Sequence, residues 1–161
     1  MSNIPEPVST ERSADATASF WFLGTLMRLK AAGEDTGGIF GLIEQAVPPG
    51  FAAPPHVHHA EDEAFYVLEG NFTFFREAQA IPARPGSFVW FPRDRQHWFR
   101  VEGDSPGRLL QWNIPAGLER FFVELGEPAS DLTATPAEPP DFARLLALAR
   151  RYGMEIGAPE A

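Results

Sequence analysis

The sequence predicts an all-β domain, an antiparallel sandwich or barrel, with one or two short helices at its C-terminal end. Three observations carry that expectation. Sixteen Pro and fourteen Gly in 161 residues interrupt the chain too often for long helices, since Pro alone is typically about 5% of a soluble protein. An apolar content of 44%, with fourteen Phe and four Trp, belongs to a packed core and not to a disordered chain. Between the turn residues, apolar runs of strand length recur, and no helical period intervenes before residue 117.

Taken in order, residues 1–18 form a polar arm, and Phe20–Leu29 reads as the first strand, ending before Gly33 and the Gly37-Gly38 pair. Ile39–Val47 follows and stops at Pro48-Pro49-Gly50. Ala64–Glu69 and Asn71–Arg76 flank Glu69-Gly70-Asn71, which reads as a tight hairpin turn. Ser87–Phe91 lies between Pro85-Gly86 and Pro92, and Trp98–Val101 and Leu109–Ile114 flank the Gly103–Gly107 turn. Seven or eight strands result. Leu118, Phe121, Phe122 and Leu125 then fall at i, i+3, i+4 and i+7, one face of a short helix between Gly117 and Gly126. After a Pro-rich polar stretch, Asp141 can cap a helix whose apolar stripe is Phe142, Leu145, Leu146 and Ala149. Arg150 and Arg151 suit its C-terminal dipole. Such one-faced helices must cover something, either the outside of the barrel or a partner subunit. The organisation expected is an arm over 1–18, a barrel over 19–126, a linker over 127–140, and a C-terminal helix and tail over 141–161.

Charge and composition exclude several functions. Thirteen Lys and Arg against twenty-two Asp and Glu leave a net charge of −9, which disfavours nucleic acid and anionic membrane surfaces as partners. The absence of Cys removes disulfides, thiolate nucleophiles and Cys-ligated zinc. No uncharged apolar run approaches the roughly 20 residues of a membrane helix, and residues 1–18 show no basic-then-apolar leader pattern. A cytoplasmic, soluble protein is therefore expected.

The chemistry concentrates in four histidines. In an extended strand, residues two apart share a face, so His56 and His58 point together while His59 points elsewhere, toward solvent or behind the ligands. Three acids follow, Glu61, Asp62 and Glu63, and the fourth imidazole, His97, comes after a second strand-and-turn unit. Two same-face imidazoles, one nearby carboxylate and a distant third imidazole make a mixed N/O site suited to a divalent transition ion.

The spacing is more specific than the composition. Gly50, five residues, His56-x-His58, four residues, Glu63, six residues and Gly70 reproduce the first motif of the cupins. Gly86, five residues, Pro92 and then His97 reproduce most of the second. The chain therefore resembles a single-domain cupin, a double-stranded β-helix or jelly-roll barrel with its metal in the wider mouth. That resemblance implies His56, His58, Glu63 and His97 as ligands of one Fe, Mn, Ni, Co, Cu or Zn per subunit. Glu61 and Asp62 are left as a solvated acidic turn. Asp94 stands where the motif usually has Gly, and Val101 where it has Asn.

Within the cupins the pattern is similar to the bacterial quercetin (flavonol) 2,3-dioxygenase-like proteins. The residues concerned are Gly24-Thr25-Leu26, Pro54-Pro55-His56-Val57-His58, the run Glu63 to Gly70, Pro115 to Phe122, and Tyr152-Gly153. This likeness implies a metal-dependent oxidoreductase that cleaves an enolisable aromatic or polyphenolic, flavonol-like substrate with O₂, with Glu63 as the base. A non-oxidative isomerase, cyclase or lyase on the same site is the alternative, and a non-catalytic small-molecule-binding module is the third reading. Strand alternation nominates Phe40, Phe65, Phe74, Trp90, Phe99 and Trp112 as walls of an aromatic substrate pocket. A homodimer is expected, because exposed sheet edges and amphipathic helices call for cover.

Overall fold

The computed structural model describes Glu11 and residues 18–157; apart from Glu11 and Ala18, the arm read over 1–18 lies outside the described residues. The first apolar run is two strands, not one. Strands β1 (Ser19–Phe22) and β2 (Thr25–Ala31) pair antiparallel across Leu23-Gly24. Both turn residues have positive φ, 49° and 82°, the backbone that matches the twist of a two-residue hairpin. A four-residue helix, α1 (Gly33–Thr36), which the sequence reading missed, leads into β3 (Gly41–Val47).

Next come β4 (His56–His58), β5 (Asp62–Glu69), β6 (Asn71–Arg76), β7 (Gln79–Ala83), β8 (Phe88–Phe91), β9 (His97–Glu102) and β10 (Gly107–Ile114). Helix α2 (Glu119–Leu125), the two-residue strand β11 (Glu127–Pro128), helix α3 (Phe142–Arg151) and β12 (Met154–Ile156) complete the chain. The strands form two antiparallel sheets, ordered β11-β1-β2-β3-β10-β5-β8 and β12-β4-β9-β6-β7. The architecture is the jelly roll, built as two facing sheets and not as one sheet closed on itself.

That topology corrects the hairpin expected at Gly70. β5 and β6 do not pair: β5 lies between β10 and β8, and β6 between β9 and β7. The chain crosses between sheets here, at φ 78°, and a Cβ on Gly70 would stand 2.7 Å from the Pro106 carbonyl oxygen. Only Gly combines that backbone with that proximity.

Two apolar clusters result. Phe65, Val67, Val89, Phe91 and Leu109 of the larger sheet meet Phe72, Phe74, Phe99 and Val101 of the smaller one. Their rings interlock, with centroids 5.1 Å apart for Phe65–Phe74 and 5.6 Å for Phe74–Phe99. The second cluster joins Phe20, Met27 and Ile43 to Phe121 and Phe122 of α2, Leu145, Leu148 and Ala149 of α3, and Met154 of β12. The C-terminal helices thus close one end of the molecule's own sandwich. Asp141 caps α3 as expected, accepting from the Arg144 N–H at 3.0 Å. Its buried stripe, however, is Leu145, Leu148 and Ala149, while Phe142 and Leu146 are 57% and 40% exposed. The helix is turned so that Tyr152 continues the seam against Phe121.

Candidate metal centre

The four donors come from both sheets. β4 and β9 set His56 and His97 directly opposite one another, and His58 shares the face of His56 by strand alternation. Glu63 reaches them from β5 in the facing sheet, where its register partners are Phe91 and Asn113. Its Oε2 lies 2.7 Å from His97 Nε2, 3.4 Å from His58 Nε2 and 3.8 Å from His56 Nε2. One donor atom from each residue lies within 4.8 Å of all the others, and together they could hold a metal ion.

Two features of the hydrogen bonding fit a cation at that point. His58 is buried, yet neither ring nitrogen has a hydrogen-bond partner, an arrangement that costs free energy unless something else takes the lone pair. His97 has the opposite difficulty, facing two acceptors, Glu63 Oε2 at 2.7 Å and the Arg95 carbonyl at 3.2 Å. A neutral imidazole can donate to only one of them. With a cation bound by Nε2 and Glu63, Nδ1–H donates to Arg95 and the conflict disappears. His56 is oriented in the same manner by the Pro54 carbonyl, 2.8 Å from Nδ1.

The charge pattern is that of a preformed ligand set. Burial would push the Glu63 carboxyl up, but the attraction of His58 and the polar contacts of His56 and His97 outweigh it and hold Glu63 well below the usual carboxylate range. Burial lowers His97 to about 4, with His56 adding to the effect and Glu63 opposing it. The other Glu63 oxygen, Oε1, accepts from Gln111 Nε2, which also donates to Asn113 Oδ1 at 3.0 Å. Gln45 Nε2 in turn donates to Gln111 Oε1. A buried amide relay therefore fixes the carboxylate from behind.

Of the acidic turn expected to be solvated, Glu61 is buried and Asp62 is not. Glu61 is 7% exposed, and burial together with the Glu63 charge raises its carboxyl to about 7. Asp62 instead faces out to Arg93, at 3.1 Å. His59, 46% exposed, binds Asp94 through Nδ1 at 2.6 Å and takes no place among the donors.

A cavity of about 60 Å³ opens onto His56, His58 and Glu63. Of the nominated aromatics, Phe65 and Phe99 line it. Phe74 is packed beneath them in the core. Trp90 lies on the outer face of β8, 43% exposed. Trp112 faces away from the cavity, flanked by Leu42 and Ala64, because its neighbours Gln111 and Asn113 take the inward positions of β10. Phe40 precedes β3 and is held at its backbone by Thr36 Oγ1, away from the cavity. The remaining apolar walls include Phe22, Phe51, Phe121, Phe122, Leu145 and Met154, and Thr25, Gln45 and Gln111 add polar lining. Of these, the i, i+3, i+4 spacing of α2 marked Phe121 and Phe122, and the apolar stripe of α3 marked Leu145.

Comparison with known proteins agrees with this geometry. The cupin domain family matches residues 43–113, a stretch that contains all four donors. Over 103 residues the chain is 32% identical to quercetin 2,3-dioxygenase of Bacillus subtilis, covering 64% of this chain and 30% of that protein. Two further curated relatives are matched over 47% and 53% of their lengths, so the chain accounts for about a third to a half of the relatives it matches. Among solved structures, KdgF from Halomonas sp. superimposes with a TM-score of 0.60 at 18% identity, over 69% of this chain and 99% of that one. Pac13, a nucleoside dehydratase from Streptomyces, gives 0.58 at 13% identity, over 70% and 88%. At such identities the structural likeness establishes the fold.

Proposed function

The chain belongs to the cupin superfamily, and from that premise we propose that it is a metal-dependent dioxygenase acting on an enolisable aromatic or polyphenolic substrate. The observation that carries the reading is the convergence of His56, His58, His97 and Glu63 beside a cavity that opens onto three of them and is walled by Phe22, Phe51, Phe65 and Phe99. A redox-active divalent ion held by those four residues would acidify a substrate hydroxyl and couple the deprotonated substrate to O₂.

The residues' own parts follow from their positions. Glu63 Oε2 is the base that takes the hydroxyl proton. Gln111 keeps that carboxylate from rotating by holding Oε1. The phenylalanines bind the flat face of the ring and exclude bulk water. The 32% identity to a quercetin dioxygenase supports this class of chemistry. Cavity size narrows the substrate. About 60 Å³ falls well short of the roughly 300–1,000 Å³ of pockets for drug-sized ligands, so a single-ring substrate fits more readily than a three-ring flavonol. The latter needs the Leu145 and Met154 wall to move.

The same volume favours a second reading, a non-oxidative isomerase, cyclase or lyase on a small oxygenated substrate with Glu63 as the base. A dehydratase is known on this fold. Oxygen uptake on a panel of catechols and flavonols, after loading with Fe, Mn, Ni, Co or Cu, tests the first reading, and no uptake with any metal overturns it. Anaerobic turnover by the zinc-loaded protein would establish the second.

A cytoplasmic homodimer belongs to the same proposal. Among the described residues no helix is long and apolar enough to cross a membrane. Tyr66, Phe88 and Trp90 leave the outer face uncovered beside the edge strand β8, which supports a paired assembly. A monomeric mass by light scattering overturns the dimer.

A further inference from the structure

Two of the three imidazoles are oriented by backbone carbonyls two residues upstream, His56 by Pro54 and His97 by Arg95, each through Nδ1. His58 has no such partner. Its Nδ1 instead faces Glu61 Oε2 at 3.8 Å, and that oxygen too is buried and without a hydrogen bond. Two complementary unpartnered atoms, both buried and less than 4 Å apart, are an incomplete contact in a region where every other ligand is braced.

Resting on the reading of His58 as a ligand, we propose that Glu61 is its positioning residue, the acceptor that closes on Nδ1–H when Nε2 binds the metal. The physical requirement is general. A ligating imidazole is neutral, its second nitrogen carries the proton, and in a buried site that proton needs an acceptor. A carboxylate in this role fixes the tautomer and ring angle and makes the ligand more basic. A small rotation of either side chain brings 3.8 Å into hydrogen-bond range, so the contact forms without rebuilding β4. The chain thereby supplies a carboxylate–histidine–metal arrangement from one strand and the turn after it. Glu61 touches neither the ion nor the substrate.

The test is a competition titration of purified wild type, E61Q and E61L with Zn(II) and Co(II) against a chromogenic chelator, read beside the imidazole ¹⁵N and ¹H signals of the zinc-loaded proteins. Wild type takes one ion per chain, and a slowly exchanging Nδ1–H is seen on His58. E61L weakens binding by about 10- to 100-fold and exposes the His58 Nδ1–H to fast exchange, leaving the His56 and His97 signals in place. E61Q is isosteric, so it serves if E61L does not fold. It loses at least about threefold in affinity and recovers part of the His58 protection, because its carbonyl can accept. Unchanged affinity and unchanged His58 exchange in the variants overturn the role of Glu61 and leave the metal centre standing. A wild type that takes up no ion overturns both.

Discussion

Phe91 lies flat against His97, the ring centroids 4.4 Å apart and the planes within 7° of parallel. The same residue pairs in register with Glu63 across β5 and β8, so one fully buried ring braces a ligand from each sheet. Phe91→Ala is expected to destabilise the metal-free protein by about 3–5 kcal/mol through the cavity it leaves. It should also admit water beside His97 and let its pKa rise from about 4 toward the ordinary histidine value. Urea unfolding and an NMR titration of His97 measure the two effects. An unmoved His97 would show that burial by this ring is not what holds it neutral.

Gln111 lines the cavity but is not one of the four donors. Its amide serves Glu63 Oε1 and Asn113 on one side and receives Gln45 on the other. Gln111→Leu orphans a carboxylate oxygen and the Gln45 N–H, at about 1–3 kcal/mol for each buried group left unpaired. The expectation is a large fall in unfolding free energy with metal binding kept, because the oxygen nearest the three imidazoles is Oε2. Metal binding abolished in a protein that still folds would contradict this division of labour.

Acid should weaken the metal-free protein. His97 has a folded pKa near 4 against an unfolded value of about 6.5, so between those values the unfolded chain binds the extra proton. The stability that His97 contributes is therefore full above about pH 6.5 and falls as the pH drops toward 4. Glu63, held well below its usual range, acts in the same direction: the stability it gives is present above about pH 4.5 and is lost on further acidification. Glu61, raised to about 7, opposes them: between about pH 4.5 and 7 the folded chain holds a proton that the unfolded carboxyl has lost, so its contribution falls as the pH rises and offsets that of His97. In E61Q that opposition is gone, and unfolding free energies measured from pH 8 to pH 4 should decline through the His97 window more steeply than in the wild type. An E61Q profile flat between pH 6.5 and 5 would refute the assignment.

The ligand set was legible in two ways, His56 and His58 from their spacing on one strand, Glu63 and His97 through the resemblance to the cupin motifs. His56 and His58 share a strand face wherever the strand lies, and the interval to Glu63 carries it to the same level of the opposite sheet. Strand β10 shows what was not legible. Its inward positions are Leu109, Gln111 and Asn113, and its outward ones Leu110 and Trp112. A polar network in the interior and a tryptophan outside invert the hydrophobic pattern from which a cavity wall is read. For β8, alternation separates Phe88 and Trp90 from Val89 and Phe91, but both pairs are apolar, and only the pairing of Phe91 with Glu63 decides which faces in. Glu61 is hidden for another reason. Whether the turn at 59–61 returns its side chain beneath His58 depends on tertiary placement, and an acid flanked by acids reads as solvated. The crossing at Gly70 looked like a hairpin because a Gly-centred turn between two strands says nothing about which sheet each strand joins.

Asp94 settles the one departure from the second motif that bears on the site. It holds φ 63°, the left-handed region in which Gly is usual and Asp is among the side chains that tolerate it. Its N–H donates to the His58 carbonyl at 2.7 Å, and its carboxylate binds His59 Nδ1 at 2.6 Å, so the turn before His97 is tied to the strand of His58 by backbone and side chain together. Asp94→Gly should leave stability within about 1 kcal/mol of wild type, the relieved backbone offsetting the lost His59 contact. Asp94→Ala keeps the strain and loses the contact, and should cost about 1–2 kcal/mol, a fall of roughly 2–8 °C in Tm for a chain of this size. Since neither change removes the N–H that reaches His58, both proteins should bind metal as tightly as wild type. Loss of binding in both variants would mean that the Asp94 carboxylate, and not the turn, sets the position of His97.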